Sequence, residues 1–362
     1  MKYKSVSIWL GWLLALLLAA CEGEAPGEAQ KAQLIFKMGL PPALEVETRA
    51  TASLADIPIE DVWVVQYNAG TNGFLNKKCF TGEWKLDSQK GLLEINTSEA
   101  EFSLITSRFY VIVNAGSTFL ENFTGTEAEL KKKTVDAPDI TGELGLLTSG
   151  PIKYTPTGNG NVVVITSLTR AYAKVSVEWK DTDKQGEIKI TGMDVYNLPN
   201  KMAFYTRGGG NLDGTYPEGT DITTDSKAAP ADGTGQTYCF YMPENLRGMG
   251  TASSFADKGL KKYGPGGTLD NCTYVVLKGT YSYKDYLSDG TNASGSSATI
   301  DVEYHIYLGG NLIKDYNIQR GYWYQVVLNF SGANTGDIRV RITDGKVTVF
   351  EQVKEITHKI EI

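Results

Sequence analysis

The residue with the most specific chemical setting in this 362-residue chain is Cys21. It follows Leu18-Ala19-Ala20, which ends an apolar run beginning at Ile8, and Lys2 and Lys4 stand ahead of that run. Diacylglyceryl transfer needs small residues before the cut and a thiol at the new N-terminus, so residues 1–20 read as a lipoprotein signal peptide and Cys21 as the lipidated residue. The run is too short to span a hydrocarbon core of about 30 Å at about 1.5 Å per residue. Several acyl chains on one residue anchor stably, where one binds only marginally. The plainer alternative is an unmodified cysteine behind an ordinary signal. Glu22-Gly23-Glu24 and the following residues to Gln30 read as an acidic tether.

Other chemistry is sparse. Cys79, Cys239 and Cys272 are an odd set with no metal-ligand spacing; small core residues are the preferred reading, and a Cys239–Cys272 bridge the second. The two histidines, His305 and His358, are far apart, which leaves few bases and no local metal pair. No Gly-x-Ser-x-Gly elbow, His-Glu-x-x-His helix or Walker sequence occurs. Asp181 to Gly186 imitates the start of a calcium loop, but position twelve is Gly192 rather than Glu, so a hairpin turn is expected. Gly208-Gly209-Gly210 lacks the Lys-Ser/Thr of a phosphate cradle. Paired carboxylates for glycoside hydrolysis are a matter of space, not of spacing. Tyr281 with Tyr283, and Tyr322 with Tyr324, lie two apart; on an exposed sheet they would stack on sugars, and core packing is the preferred reading. The expectation is a protein that is not an enzyme and has no cofactor or metal. A net charge of −7 argues against a nucleic-acid partner.

The elements that would carry these residues are strands. At roughly 150 residues per domain the length suggests about two domains, and 39 Gly with 20 Tyr and 12 Phe fit turn-rich β structure. Gln33 to Met38 places Leu34, Phe36 and Met38 on one face, ending at Pro41-Pro42. Ile59 to Tyr67 reads as a strand closed by the turn Asn68 to Gly73. Phe109 to Asn114 (FYVIVN) has the continuous apolar pattern of a strand buried on both faces. Thr126 and Glu129 form a capping box, and Glu127–Lys131 and Glu129–Lys133 are i,i+4 pairs, so a short helix is expected there. Further strands are read at 161–165, 171–180, 187–196, 238–242, 273–283, 300–308, 322–330, 337–343 and 346–350. Residues 207–237 are rich in Gly, Asp, Thr and Pro and read as a connection or long loop. At the C-terminus Ile356, His358, Ile360 and Ile362 alternate with polar residues. The fold class expected is all-β, two β-sandwiches in series with a short helix in the first; one large barrel is the weaker alternative.

The order of several segments carries a resemblance over nearly the whole chain. The lipobox cysteine is followed by Glu47-Thr48-Arg49-Ala50-Thr51-Ala52, FYVIVN and the helix near Glu127. Then come Leu168 to Val175 (LTRAYAKV), Tyr241 to Gly248 (YMPENLRG), Tyr274 to Gly279 (YVVLKG), and Ile306 to Gly310 with Arg320 to Tyr324. In this order they resemble the FimA-like fimbrillins, subunits of type V pili, and their lipoprotein relatives. The resemblance implies transthyretin-like sandwiches, export as a surface-exposed outer-membrane lipoprotein, cleavage after an arginine, and polymerisation by strand exchange. On the match, Arg49 and Ala50 flank the cleavage. The domains would be 21–49 (tether and removable strand Leu34, Phe36, Met38), 50–205 and 206–362. Ile356, His358, Ile360 and Ile362 would form the donor strand, although the same pattern equally suits an edge strand of the chain's own domain. Phe350 stands where relatives often carry Trp, and the tail after it is short, which leaves stalk, tip and anchor subunits all open. The implied partners are other pilin subunits, the outer membrane through the lipid, and an adhesion target on a host or bacterial surface. A surface glycan-binding lipoprotein is the alternative function.

Overall fold

The computed structural model describes residues 34–41, 58–97, 101–137, 139–140, 145–156, 162–181, 186–205, 227–229, 231, 237–282 and 299–330, and the backbone alone of 222–223, 283, 342–349 and 355–359. The first strands are β1 (Leu34–Gly39), β2 (Val62–Asn68), β3 (Phe74–Phe80), β4 (Trp84–Asp87), β5 (Leu92–Asn96) and β6 (Ser107–Val113). Helix α1 (Glu127–Lys132) precedes β7 (Thr134–Asp136), β8 (Leu147–Tyr154), β9 (Val162–Ser167) and β10 (Thr169–Arg170). Next come β11 (Tyr172–Asp181), β12 (Gly186–Tyr196), β13 (Leu198–Pro199), β14 (Lys201–Ala203), β15 (Ile222–Thr223) and β16 (Lys227–Ala228). The remainder is β17 (Thr237–Pro243), β18 (Asn245–Met249), helix α2 (Phe255–Lys258), β19 (Tyr274–Tyr283), β20 (Thr299–Tyr307), β21 (Asp315–Ile318), β22 (Tyr322–Phe330), β23 (Ile342–Val349) and β24 (Glu355–Lys359). The protein is all-β, as its turn-rich composition predicts.

Four sheets pair into two sandwiches. In the first, β4-β5-β1-β9 faces β10-β8-β6-β2-β3. Their shared core takes Phe36 and Leu93 from one sheet and Val62, Val64, Phe109 and Val111 from the other. In the second, β17-β11-β22-β23-β24 faces β16-β12-β19-β20. That core holds Val175, Val177, Phe240, Val326 and Leu328 against Val195, Val275, Leu277 and Ile306. The first strand of each sandwich is interior and mixed. Thus β1 runs antiparallel to β5 and parallel to β9, and β11 runs antiparallel to β17 and parallel to β22.

A third core explains why β2 and β6 read as apolar on both faces. The outer faces of these strands carry Trp63, Val65, Tyr67, Tyr110 and Ile112, which pack on Leu120, Phe123, Leu130, Tyr172, Met202, Phe204 and Tyr205. Successive side chains alternate faces, so a strand between two cores has no polar side to offer. The exception, Gln66, is fully buried and satisfied: its amide donates to Ser103 O (2.6 Å) and Ser107 Oγ (2.8 Å) and accepts from Ser103 N (3.0 Å). The Tyr205 hydroxyl donates toward Val111 O and Ser149 O, so the chain after β14 closes onto the first sandwich.

Two readings of the sequence need correction. First, β11 and β12 do not form a hairpin. They lie in facing sheets, so the chain crosses between layers after Asp181, whose Oδ2 accepts from Ile188 N at 2.9 Å. Beyond them, β11 pairs with β17 and β22 and β12 with β16 and β19, while β14 pairs back with β7. Second, β23 runs unbroken over Ile342–Val349, through the gap read between 343 and 346; residues 337–341 and 350 lie outside the described residues. In addition, Cys272 is buried but Cys79 and Cys239 are half-buried, with no disulfide among the described residues.

The capping box at α1 is formed. Thr126 Oγ1 accepts from Glu129 N, and Glu129 Oε2 accepts from Thr126 N. Glu127 then anchors the helix to β6. Arg108 grips its Oε2 with Nε (3.0 Å) and Nη2 (2.5 Å), and Lys131 Nζ lies 2.8 Å from Oε1, which also accepts from the Tyr110 hydroxyl. Burial opposes ionisation of Glu127, but the hydrogen bonds from Lys131, Tyr110 and Arg108 outweigh it and hold the carboxyl at about 2. A folded-state value below the unfolded one means stabilisation that is complete above about pH 4.5 and fades as the pH falls toward about 2. Urea unfolding of wild type and Glu127→Gln across that window is expected to show a stability difference that shrinks with acid. A difference that stays constant would contradict this ionised anchor.

Candidate functional site

The site suggested by the sequence around Leu34, Phe36 and Met38 is a filled slot in the first sandwich. All three side chains of β1 are buried, and Ile35, Lys37 and Gly39 are half-buried on the opposite face. The register sets Phe36 against Ile95 of β5 and Val164 of β9. Phe36 meets the edge of Phe109 at 5.1 Å and of Phe102 at 6.1 Å between ring centroids, and these two meet each other at 5.7 Å. Edge-on geometry sets the positive rim of one ring against the negative face of the next, which fixes the position of Phe36 as well as burying it.

Both ends of β1 are fastened. Leu34 O accepts from Thr97 N (2.9 Å) and Thr97 Oγ1 (3.0 Å). At the other end Leu168 N donates to Gly39 O (2.8 Å), and Leu40 N donates to Gly91 O (2.7 Å). On the outer face Lys37 pairs with Glu94 at 3.3 Å, both side chains partly exposed, which contributes at most about 1 kcal/mol. The three buried side chains contribute far more, about 1.5–3 kcal/mol each. Without β1, the β4-β5 pair and β9 would each present a ladder edge of unpaired backbone groups, with three apolar sockets between them. A slot of six residues at about 3.3 Å each is about 20 Å long.

The remaining residues singled out from sequence fall elsewhere. Cys21, Arg49, Ala50, Ile360 and Ile362 lie outside the described residues. Ile356 and His358 lie in β24, opposite Val347 and Gly345 of β23. There β24 is the edge strand of the second sandwich, far along the chain from the β1 slot. Sequence reading found the occupant of the slot but missed part of its lining. Phe102 and Thr97 lie outside the strands, where no periodicity marks them, and their contacts reveal them.

Of the candidate sugar platforms, Tyr281, Tyr322 and Tyr324 are engaged by the core, and the side chain of Tyr283 lies outside the described residues. Tyr281 and Tyr324 are buried in the core of the second sandwich, and Tyr322 packs against that core. Trp323 donates from Nε1 to Ser176 Oγ at 2.9 Å. On the outer face of β12-β19-β20, Tyr196 and Tyr274 stack at 4.8 Å and 4°, with Tyr307 tilted on Tyr274 at 5.0 Å. The faces of Tyr274 are thus turned to its neighbours. Among the described residues no helix is long and apolar enough to cross a membrane, and no group of three metal-ligating side chains occurs.

Residues 240–328 match the family described as "Domain of unknown function (DUF4906)". No curated protein matches the chain. Among solved structures, a Parabacteroides distasonis protein ascribed to cell adhesion is similar over 86% of this chain and 91% of its own, with TM-score 0.53 and 15% identity. The tip fimbrial protein Mfa3 from Porphyromonas gingivalis, solved with a C-terminal truncation, is similar over 91% of this chain and 99% of its own, with TM-score 0.50 and 10% identity. The chain shares the fold of these fimbrial and adhesion proteins along almost its entire length.

Proposed function

We propose that this chain is a structural or accessory subunit of a surface fimbrium, exported as an outer-membrane lipoprotein through Cys21 and polymerised by strand exchange in support of adhesion. Cleavage between Arg49 and Ala50 separates the body from its lipid and releases β1. The observation that carries this reading is the position of β1. It is an interior strand, yet it lies ahead of Arg49 in the chain, so a single cut leaves an apolar, backbone-unsatisfied slot in an otherwise complete sandwich. Residues about 354 to 362 of a neighbouring subunit fill that slot. Their period-two pattern matches the period-two sockets left by Leu34, Phe36 and Met38. Each subunit has one slot and one donor strand, so the contact is heterologous and propagates instead of closing. Two transthyretin-like domains form the body, the first ending near Arg170 and the second opening at Tyr172.

Outer-membrane material run on a gel without boiling tests this reading. A heat-sensitive ladder whose subunits begin at Ala50 is expected. A single band that keeps acylated Cys21 contradicts polymerisation and favours the glycan-binding alternative.

A further inference from the structure

The contacts that hold β1 lie within residues 34–41, ahead of the Arg49–Ala50 bond. Leu34, Phe36 and Met38 are buried, Pro41 is buried too, and Leu40 packs against the same core. The backbone pairs with β5 from Ile35 to Gly39 and with β9 from Leu34 to Gly39. Hydrogen bonds to Thr97 at one end, and to Leu168 and Gly91 at the other, fasten it. Residues 42–49 separate Pro41 from the bond to be cut, so the cut breaks none of these contacts. What it removes is the tether, which sets the effective concentration of β1 at its slot. An edge strand leaves by breaking one ladder, whereas β1 must break two. An emptied slot would also set Ile95, Phe102, Phe109 and Val164 against water and leave two rows of unpaired backbone groups.

We infer that the slot is a peptide-binding site whose first ligand is the chain's own cut segment: β1 stays docked without a covalent link and yields only to a donor strand. This rests on strand exchange as proposed above and divides release into two steps, the cut and the displacement. Displacement is feasible because each ladder bond and each socket that β1 gives up is taken over by the incoming strand. Cys21 and β1 lie on the same piece, 21–49, so a lipidated Cys21 goes on holding the cut body at the membrane. A subunit therefore leaves its lipid as it accepts a neighbour's strand, which keeps empty slots, with their exposed edges, out of solution.

Native mass spectrometry of the full mature chain, cut between Arg49 and Ala50 in dilute solution, tests this. Where that bond resists a trypsin-like protease, a specific protease site placed between the two residues gives the same cut. Piece 21–49 is expected to stay with a monomeric body. A synthetic peptide of residues 354–362 in excess is expected to displace it, and the same peptide carrying Ile360→Asp is not. With Phe36→Ala the cut piece should leave without a donor, about a hundredfold faster or more. A wild-type piece that leaves a folded, monomeric body with no donor present overturns the retention and leaves strand exchange standing. A piece that stays bound in a large excess of donor peptide overturns strand exchange, and this inference with it.

Discussion

Phe36→Ala is expected to destabilise the uncut chain by about 3–5 kcal/mol and to leave the assembled fibre unchanged. Phe36 is fully buried, sits edge-on to Phe102 and Phe109, and occupies the middle of an interior strand, so truncation opens a cavity that β5 and β9 cannot close by moving together. For a body of this size that loss lowers the melting temperature by on the order of 10 °C. The fibre tells a different story under strand exchange, because residues 34–39 are no longer part of it. Ladder length and the heat needed to dissolve the ladder should then match those of wild type, provided the variant is exported and cut. Equal weakening of precursor and fibre would show that β1 remains in place after assembly.

Ile360→Asp should act in the opposite sense, leaving the precursor folded while abolishing the ladder. Ile360 belongs to the alternating set Ile356, His358, Ile360 and Ile362, and a donor strand needs its apolar members in the sockets of the recipient. Burying an unpaired carboxylate in a socket sized for an apolar side chain costs several kcal/mol, more than the net gain from ordering a strand of this length. In the precursor, β24 lies at a sheet edge, where one long side of the strand is open. A circular-dichroism melt within about 4 °C of wild type, a shift of at most about 1 kcal/mol, together with loss of the ladder is the expected pair. If Ile360→Asp instead prevents the precursor from folding, the strand belongs to its own sandwich and does not donate.

Local chemistry was legible in the sequence, and long-range partnership was not. The capping box at Thr126 and Glu129 depends on residues three apart, and it appears where the spacing places it. The period-two placement of Leu34, Phe36 and Met38 showed that one face of β1 is buried, and the apolar run from Phe109 showed that both faces of β6 are. Periodicity does not say which strand lies alongside. The stretch from Ala171 to Tyr196 has the form of a hairpin, yet its two arms lie in facing sheets, because β11 gains a parallel neighbour in β22 about 150 positions later.

The measurement that bears most directly on strand exchange is an electron cryo-microscopy map of the fibre, read at the slot between β5 and β9. The expected density there is a strand of the neighbouring subunit from about residue 354 to 362, with chain density of the subunit itself beginning at Ala50. Density for Leu34 to Gly39 of the same subunit, paired with β5 and β9 as in the precursor, would contradict strand exchange outright.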